Sequence, residues 1–332
     1  MKRLLLALVC TIISATVIVG GNVGLAKSSS EAETGAGQVV YQDWLDSSRS
    51  RKIPVKIYMP TKGNAPYPVV IFSHGLGGSR EAATYLGDYW SQHGFICFFV
   101  QHVGSDDSVW QGERGQGRAA ILASLKGAMN GQTFEARLED VKFVLDELGR
   151  LNKEQGSLQG KLDLSRIAMS GHSYGANTSM TMAGQRYGVS GREQSFADAR
   201  VKCAIYLSAP VVLRGRSPQE VFGGIKIPGL LMTGTEDNSP VGDTTAAMRR
   251  LPFDGMTGPN QYLVIFNGGD HMLFAGAVRR QQTEADARML PEIERVTTAF
   301  LDAYLNGDKS AKQWLNTETS KYLGQDATFE RK

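Results

Sequence analysis

Six short runs of apolar, often β-branched residues recur along the chain, at 69–72, 95–100, 167–169, 201–207, 229–233 and 262–266, with helical or turn-like segments between them. A strand that is apolar at nearly every position must be covered on both faces, which is the condition of a parallel sheet flanked by helices. Residues 39–44 and 53–59, joined by the polar string Asp46-Ser-Ser-Arg-Ser-Arg51, read as a hairpin at one sheet edge. Together these eight segments predict a mostly parallel, doubly wound α/β sheet with helices on both faces. Helical spacing is plain at Phe134, Leu138, Val141, Val144, Leu145 and Leu148, with Thr133 as a candidate cap. Further helices are expected at 81–93, 119–129 and 292–305 and near Trp314.

The run at 167–169 leads into Gly171-His-Ser-Tyr-Gly175, and a helix-compatible segment at 176–183 follows at once. A serine between a strand and a helix sits on a sharp turn, and the flanking glycines spare the crowded backbone a Cβ. So short a motif recurs by chance, and its meaning depends on what the other strand ends carry. Ligands of a doubly wound sheet bind at the carboxyl ends of its strands. Those ends read Ser73-His-Gly-Leu-Gly-Gly78, Gln101-His-Val-Gly104, Ser208-Ala-Pro210, Gly234-Thr-Glu-Asp-Asn-Ser239 and Asn267-Gly-Gly-Asp-His271.

A serine hydroxyl is a weak nucleophile at neutral pH, so it needs a base in hydrogen-bond reach and a carboxylate that fixes the base's tautomer. Of the five histidines, His74, His93 and His102 precede Ser173, His172 adjoins it and is expected to point away, and His271 follows. His271 is therefore the expected base. Asp237 is the expected acid, with Glu236 and Asp243 as local alternatives, whereas Asp270 cannot easily turn back on its neighbour. The oxyanion of an acyl transfer needs two preorganised donors, assigned to the backbone N–H groups of Leu76 and Tyr174. His74 is expected to brace the glycine loop. The excursion at 103–132 is a candidate lid, and within reach of it Trp110 and His102 are candidate pocket walls, Trp110 being equally readable as core. The segment at 210–227 is too short for a separate cap domain.

The amino terminus carries Lys2 and Arg3, an apolar run at 4–19 and small residues at Gly24-Leu25-Ala26. That run is shorter than the ~20 residues of a spanning helix, and the pattern predicts a signal peptide at 1–26, cleavage near Ala26, and a secreted or periplasmic protein with no stable membrane span. A flexible leader at 27–38 and a single domain at 39–332 are expected to follow. Without Lys2 and Arg3 the formal charge of +3 falls to +1, which argues against a nucleic-acid or membrane-surface protein whose affinity comes from clustered positive charge. Cys97 and Cys203 lie in apolar runs that the proposed sheet does not place side by side, so separate buried thiols are expected.

Phe72-Ser-His-Gly-Leu-Gly77, Ser91-Gln-His-Gly-Phe95, Gly171-His-Ser-Tyr-Gly175 and Gly268-Gly-Asp-His271 together resemble the α/β-hydrolases of the dienelactone-hydrolase and platelet-activating-factor acetylhydrolase group, over about residues 39–306. The resemblance implies the α/β-hydrolase fold and ester hydrolysis. Dienelactone hydrolase proper has a cysteine nucleophile where this chain has Ser173, and the acetylhydrolase places its acid after the sixth strand, where this chain reads Tyr206-Leu-Ser208. The expected function is an exported serine carboxylic-ester hydrolase working through an acyl-enzyme on a small-molecule or lipid-like ester, with no metal or organic cofactor. The alternatives are hydrolysis of another acyl bond, such as a lactone, phospholipid acyl chain, polyester or amide, and a binding protein without turnover.

Overall fold

Along β3 (Tyr67–Ser73), Val69 and Ile71 pack into one hydrophobic layer while Val70 and Phe72 pack into a second layer on the opposite face. The same alternation separates Ile96, Phe98 and Val100 from Cys97 and Phe99, and Ile167 and Met169 from Ala168. This is the two-sided burial that continuous apolar strands require. The computed structural model describes residues 37–189, 191–276 and 284–332; the signal peptide and all but the last two residues of the leader lie outside the described residues.

In chain order the elements are β1 (Val39–Asp46), β2 (Arg51–Tyr58), β3 (Tyr67–Ser73), α1 (Thr84–Gln92), β4 (Ile96–Val100), α2 (Ser108–Gln111), α3 (Arg118–Ala128), α4 (Gly131–Lys153), β5 (Leu162–His172) and α5 (Tyr174–Ala183). There follow β6 (Val201–Leu207), α6 (Pro218–Phe222), β7 (Gly229–Glu236), α7 (Leu251–Gly255), β8 (Gln261–Asp270), α8 (Glu284–Tyr304), α9 (Lys309–Thr317), α10 (Thr319–Leu323) and β9 (Ala327–Arg331). Helices α4, α5 and α6 cover one face through residues such as Leu138, Met180 and Phe222, and α1, α8 and α9 cover the other through Trp90, Phe300 and Leu315. No helix among the described residues is long and apolar enough to cross a membrane.

The sheet has nine strands in the order β1-β2-β4-β3-β5-β6-β7-β8-β9, where eight were expected. It is mixed: the pairs from β4 through β8 are parallel, and the pairs β1 with β2, β2 with β4, and β8 with β9 are antiparallel. The additional strand, β9, spans only five residues, of which Ala327 alone is buried, and it gains its strand character from pairing with β8. Helix α4 is capped by the Asn130 side chain, which accepts from the N–H of Thr133 at 3.0 Å, so the cap lies three residues before the expected one. Helix α8 begins at Glu284 and runs through Pro291. Cys97 and Cys203 are separate buried thiols.

Order reverses at β3, which has β4 on one side and β5 on the other. The crevice outside the carboxyl ends of two such strands is where this class of sheet offers a ligand site. The Gly75–Gly78 loop and Ser173 both emerge there.

Candidate active site

Ser173 joins β5 to α5 with φ 53° and ψ −118°, a backbone conformation that a side chain adopts only when its surroundings enforce it. Its glycine neighbours explain how the turn closes. A Cβ on Gly175 would stand 1.8 Å from the carbonyl oxygen of Ser73, and one on Gly171 would stand 2.4 Å from the Gly175 backbone. The Ser173 N–H donates to Leu207 O at 2.8 Å, which ties the turn to the neighbouring strand β6.

His271 follows β8, and its Nε2 lies 2.9 Å from Ser173 Oγ. The Nδ1 of the same ring lies 2.8 Å from Asp237 Oδ1, on the loop after β7. Burial alone would raise the Asp237 carboxyl, but the hydrogen bond from His271 and the charge of Arg249 hold it below the ordinary value of 3.8. An ionised Asp237 can only accept, so Nδ1 carries the proton and Nε2 is left to accept from the serine hydroxyl. Asp237 Oδ2 accepts from Thr233 Oγ1 at 2.8 Å, and the carboxylate is fully buried. The alternatives stand apart from this string, since Glu236 and Asp243 are both exposed.

Two further side chains, Arg249 and His172, support this string. Arg249, 2% exposed, lies with Nε 2.9 Å from Asp237 Oδ1 and donates to the carbonyl oxygens of Asp237, Ser208 and Ala209 at 2.6, 2.6 and 2.9 Å. It links the loop after β6 to the loop after β7. His172 Nε2–H donates to His271 O at 2.8 Å, and the two rings lie 4.8 Å apart. Burial lowers the His172 imidazole to about 3, so it stays neutral and acts as a fixed donor to the backbone of its neighbour.

Behind the glycine loop lies a second polar set. His74 Nε2 accepts from the N–H of His102 at 3.0 Å, which places the ring proton on Nδ1, donating to Gly75 O at 2.6 Å. His102 Nδ1 donates to Asp140 Oδ2 at 3.1 Å, and its Nε2 lies 3.0 Å from Ser73 Oγ. Burial lowers His102 to about 4 and His74 well below its ordinary value, and fully buried Arg137 donates to His74 O, Ser105 Oγ and Thr178 Oγ1. His102 is thus no pocket wall: it is 0% exposed, held inside by Asp140 and Ser73. The sign of this network in the sequence is two charged residues, Arg137 and Asp140, interleaved with the apolar positions of α4.

A cleft of about 690 Å³ is lined by Ser173, His271 and Leu76, with Ile121, Leu122 and Leu125 of α3 as its apolar wall. The excursion at 103–132 therefore reaches the cleft through α3. Trp110 stands behind the lining: its Nε1–H donates to Gly77 O at 2.7 Å, and its ring lies 3.0 Å from where a Gly77 Cβ would be. The N–H groups of Leu76 and Tyr174 belong to lining residues, and neither has a hydrogen-bond acceptor among the described residues. That of Tyr174 is among the unpaired donors of the first turn of α5.

The family described as "Platelet-activating factor acetylhydrolase, isoform II" matches residues 23–113, a stretch that includes the Gly75–Gly78 loop and ends before the elbow. The platelet-activating factor acetylhydrolase of Cavia porcellus is 25% identical over 80% of this chain and 64% of its own length. That of Canis lupus familiaris is 25% identical over 51% of this chain and 42% of its own. Cutinase 1 of Thermobifida cellulosilytica is 23% identical over 39% of each chain. The chain thus spans less than two thirds of the length of these relatives. The chain is similar to acetylhydrolases and cutinases alike, on a strand order that opens its crevice between β3 and β5.

Proposed function

We propose that this protein is a serine carboxylic-ester hydrolase that works through an acyl-enzyme. The observation that carries the reading is the unbroken string from Ser173 Oγ to His271 Nε2, at 2.9 Å, and from His271 Nδ1 to Asp237 Oδ1, at 2.8 Å, opening on a cleft. Ser173 attacks the ester carbonyl as His271 takes its proton; Asp237 holds the ring and offsets the imidazolium charge. The tetrahedral oxyanion is received by the N–H groups of Leu76 and Tyr174, a type of donor whose loss costs about 2.7–4 kcal/mol of barrier. His271 then returns the proton to the leaving alcohol, and water repeats the cycle on the acyl-enzyme. Similarity to acetylhydrolases and cutinases supports the ester as the bond attacked. The charged, then apolar, residues 2–19 support export of the chain.

The test is turnover of a short-chain chromogenic ester together with labelling by a fluorophosphonate. Wild type and Ser73→Ala are expected to label, and Ser173→Ala is expected to lose both label and turnover. Equal rates in Ser173→Ala and wild type would refute the assignment.

A further inference from the structure

The cleft carries a charge pattern that acyl transfer does not use. Arg118, Arg186, Arg214 and Arg216 all line it, while among the described residues Asp243 is the one carboxylate in the lining. No acidic side chain among the described residues lies within ion-pair distance of any of the four arginines, although most other arginines of the fold are paired. Three of them, Arg118, Arg186 and Arg214, are exposed, and solvated arginines alone imply nothing.

Arg216 differs. It is 7% exposed, its Nε donates to Leu213 O at 3.2 Å, and its Nη1 is buried without a hydrogen-bond partner among the described residues. A guanidinium withdrawn from water with an unused donor is costly unless an acceptor arrives. Arg216 lines the cleft, which offers an acceptor a route to it. With Nε already engaged, one end of the guanidinium remains, which suits the two oxygens of a planar carboxylate. Opposite in character, Ile121, Leu122 and Leu125 offer surface to an apolar chain.

We propose that the cleft selects esters whose substrate carries a free carboxylate, which Arg216 binds with Arg214 as the exposed approach. This rests on the reading of Ser173 as the nucleophile of an ester hydrolase. The class of substrate is a half-ester of a dicarboxylic acid, or another ester with a carboxylate at the far end of a short apolar chain.

The experiment compares kcat/KM for 4-nitrophenyl valerate with that for the 4-nitrophenyl monoester of glutaric acid, equal in chain length and differing in the terminal carboxylate. A short-chain phosphatidic acid and its matching diacylglycerol form a second pair. In wild type the glutarate monoester is expected to be favoured at least tenfold, and the advantage to shrink as salt rises, because salt screens the charge. The anionic-to-neutral ratio is expected to fall at least tenfold in Arg216→Gln and at least threefold in Arg214→Gln. The exposed Arg214 variant and the wild-type salt series decide the matter even if Arg216→Gln fails to fold. Equal turnover of valerate and glutarate esters, or a preference for phosphatidic acid alone, would overturn the carboxylate assignment while leaving the hydrolase reading intact. Absence of turnover on every ester by folded wild type would overturn both.

Discussion

Two serines in this fold stand at hydrogen-bond distance from a histidine that in turn touches an aspartate. Ser73, His102 and Asp140 are joined at 3.0 and 3.1 Å, and Ser173, His271 and Asp237 at 2.9 and 2.8 Å. Distance does not separate them; access does. All three members of the first set are 0% exposed, whereas Ser173 and His271 line the cleft. The order of strand ends in the sequence is enough to gather Ser173, Asp237 and His271 as candidates, because each follows its own apolar run. It gives no sign of Arg249, whose partners at 208, 209 and 237 are distant in sequence, and it leaves His102 on the rim because burial is set by contacts that spacing does not encode. Asp237→Asn is expected to lower kcat by about 10⁴ with little change in fold, since the ring would then take the wrong tautomer; a comparable loss in Glu236→Gln or Asp243→Asn instead would move the acid elsewhere. Arg249→Gln removes one partner of a buried ion pair and is expected to cost on the order of 3–5 kcal/mol of stability. Urea denaturation checks this, and a midpoint equal to wild type would show that the loops after β6 and β7 hold without it.

At the scale of elements, the strand–turn–helix around Ser173 is the tightest piece of backbone in the site. Gly175 meets Ser73 O across the β3 and β5 ends, so a Cβ there strikes backbone that cannot rotate away. Gly175→Ala is expected to destabilise the protein by about 3 kcal/mol or more and to abolish turnover, read by thermal unfolding and ester assay. Gly149→Ala in α4 is the contrasting case, since its Cβ would meet nothing within 4 Å. It is expected to raise stability by about 0.5–1 kcal/mol, the helix-interior preference for alanine. Elements with an unbroken apolar run were legible in the sequence. β9 was not, because its five residues are a strand only by virtue of the β8 edge beside them, and the start of α8 was not, because Pro291 reads as a helix boundary when no neighbouring fold holds the turn before it.

For the whole molecule, placing the crevice at the β3–β5 switch draws polar loops into the interior, and three histidines are buried there with their charged forms suppressed. His74 lies well below its ordinary value, His102 at about 4 and His172 at about 3, each chiefly through burial. A histidine whose folded pKa is depressed takes up a proton more readily when unfolded, so its contribution to stability is complete above about 6.5 and is lost as pH falls toward the folded value. Each contributes a slope of up to about 1.4 kcal/mol per pH unit in that window. Glu292 and Glu294 act in the opposite sense, since burial raises them to about 7 and about 6 and the folded state then holds their protons longer. Their opposition ends near the ordinary glutamate value of 4.5, below which both states are protonated. Stability is therefore expected to decline gently from pH 6.5 to 5 and more steeply from pH 5 to 4. Asp237 and Asp140, both held below 3.8, add their own loss only at still lower pH. Thermal midpoints measured at half-unit steps between pH 7 and 4 check the curve. A midpoint constant across that range would mean that the three imidazoles are not held neutral in the folded protein.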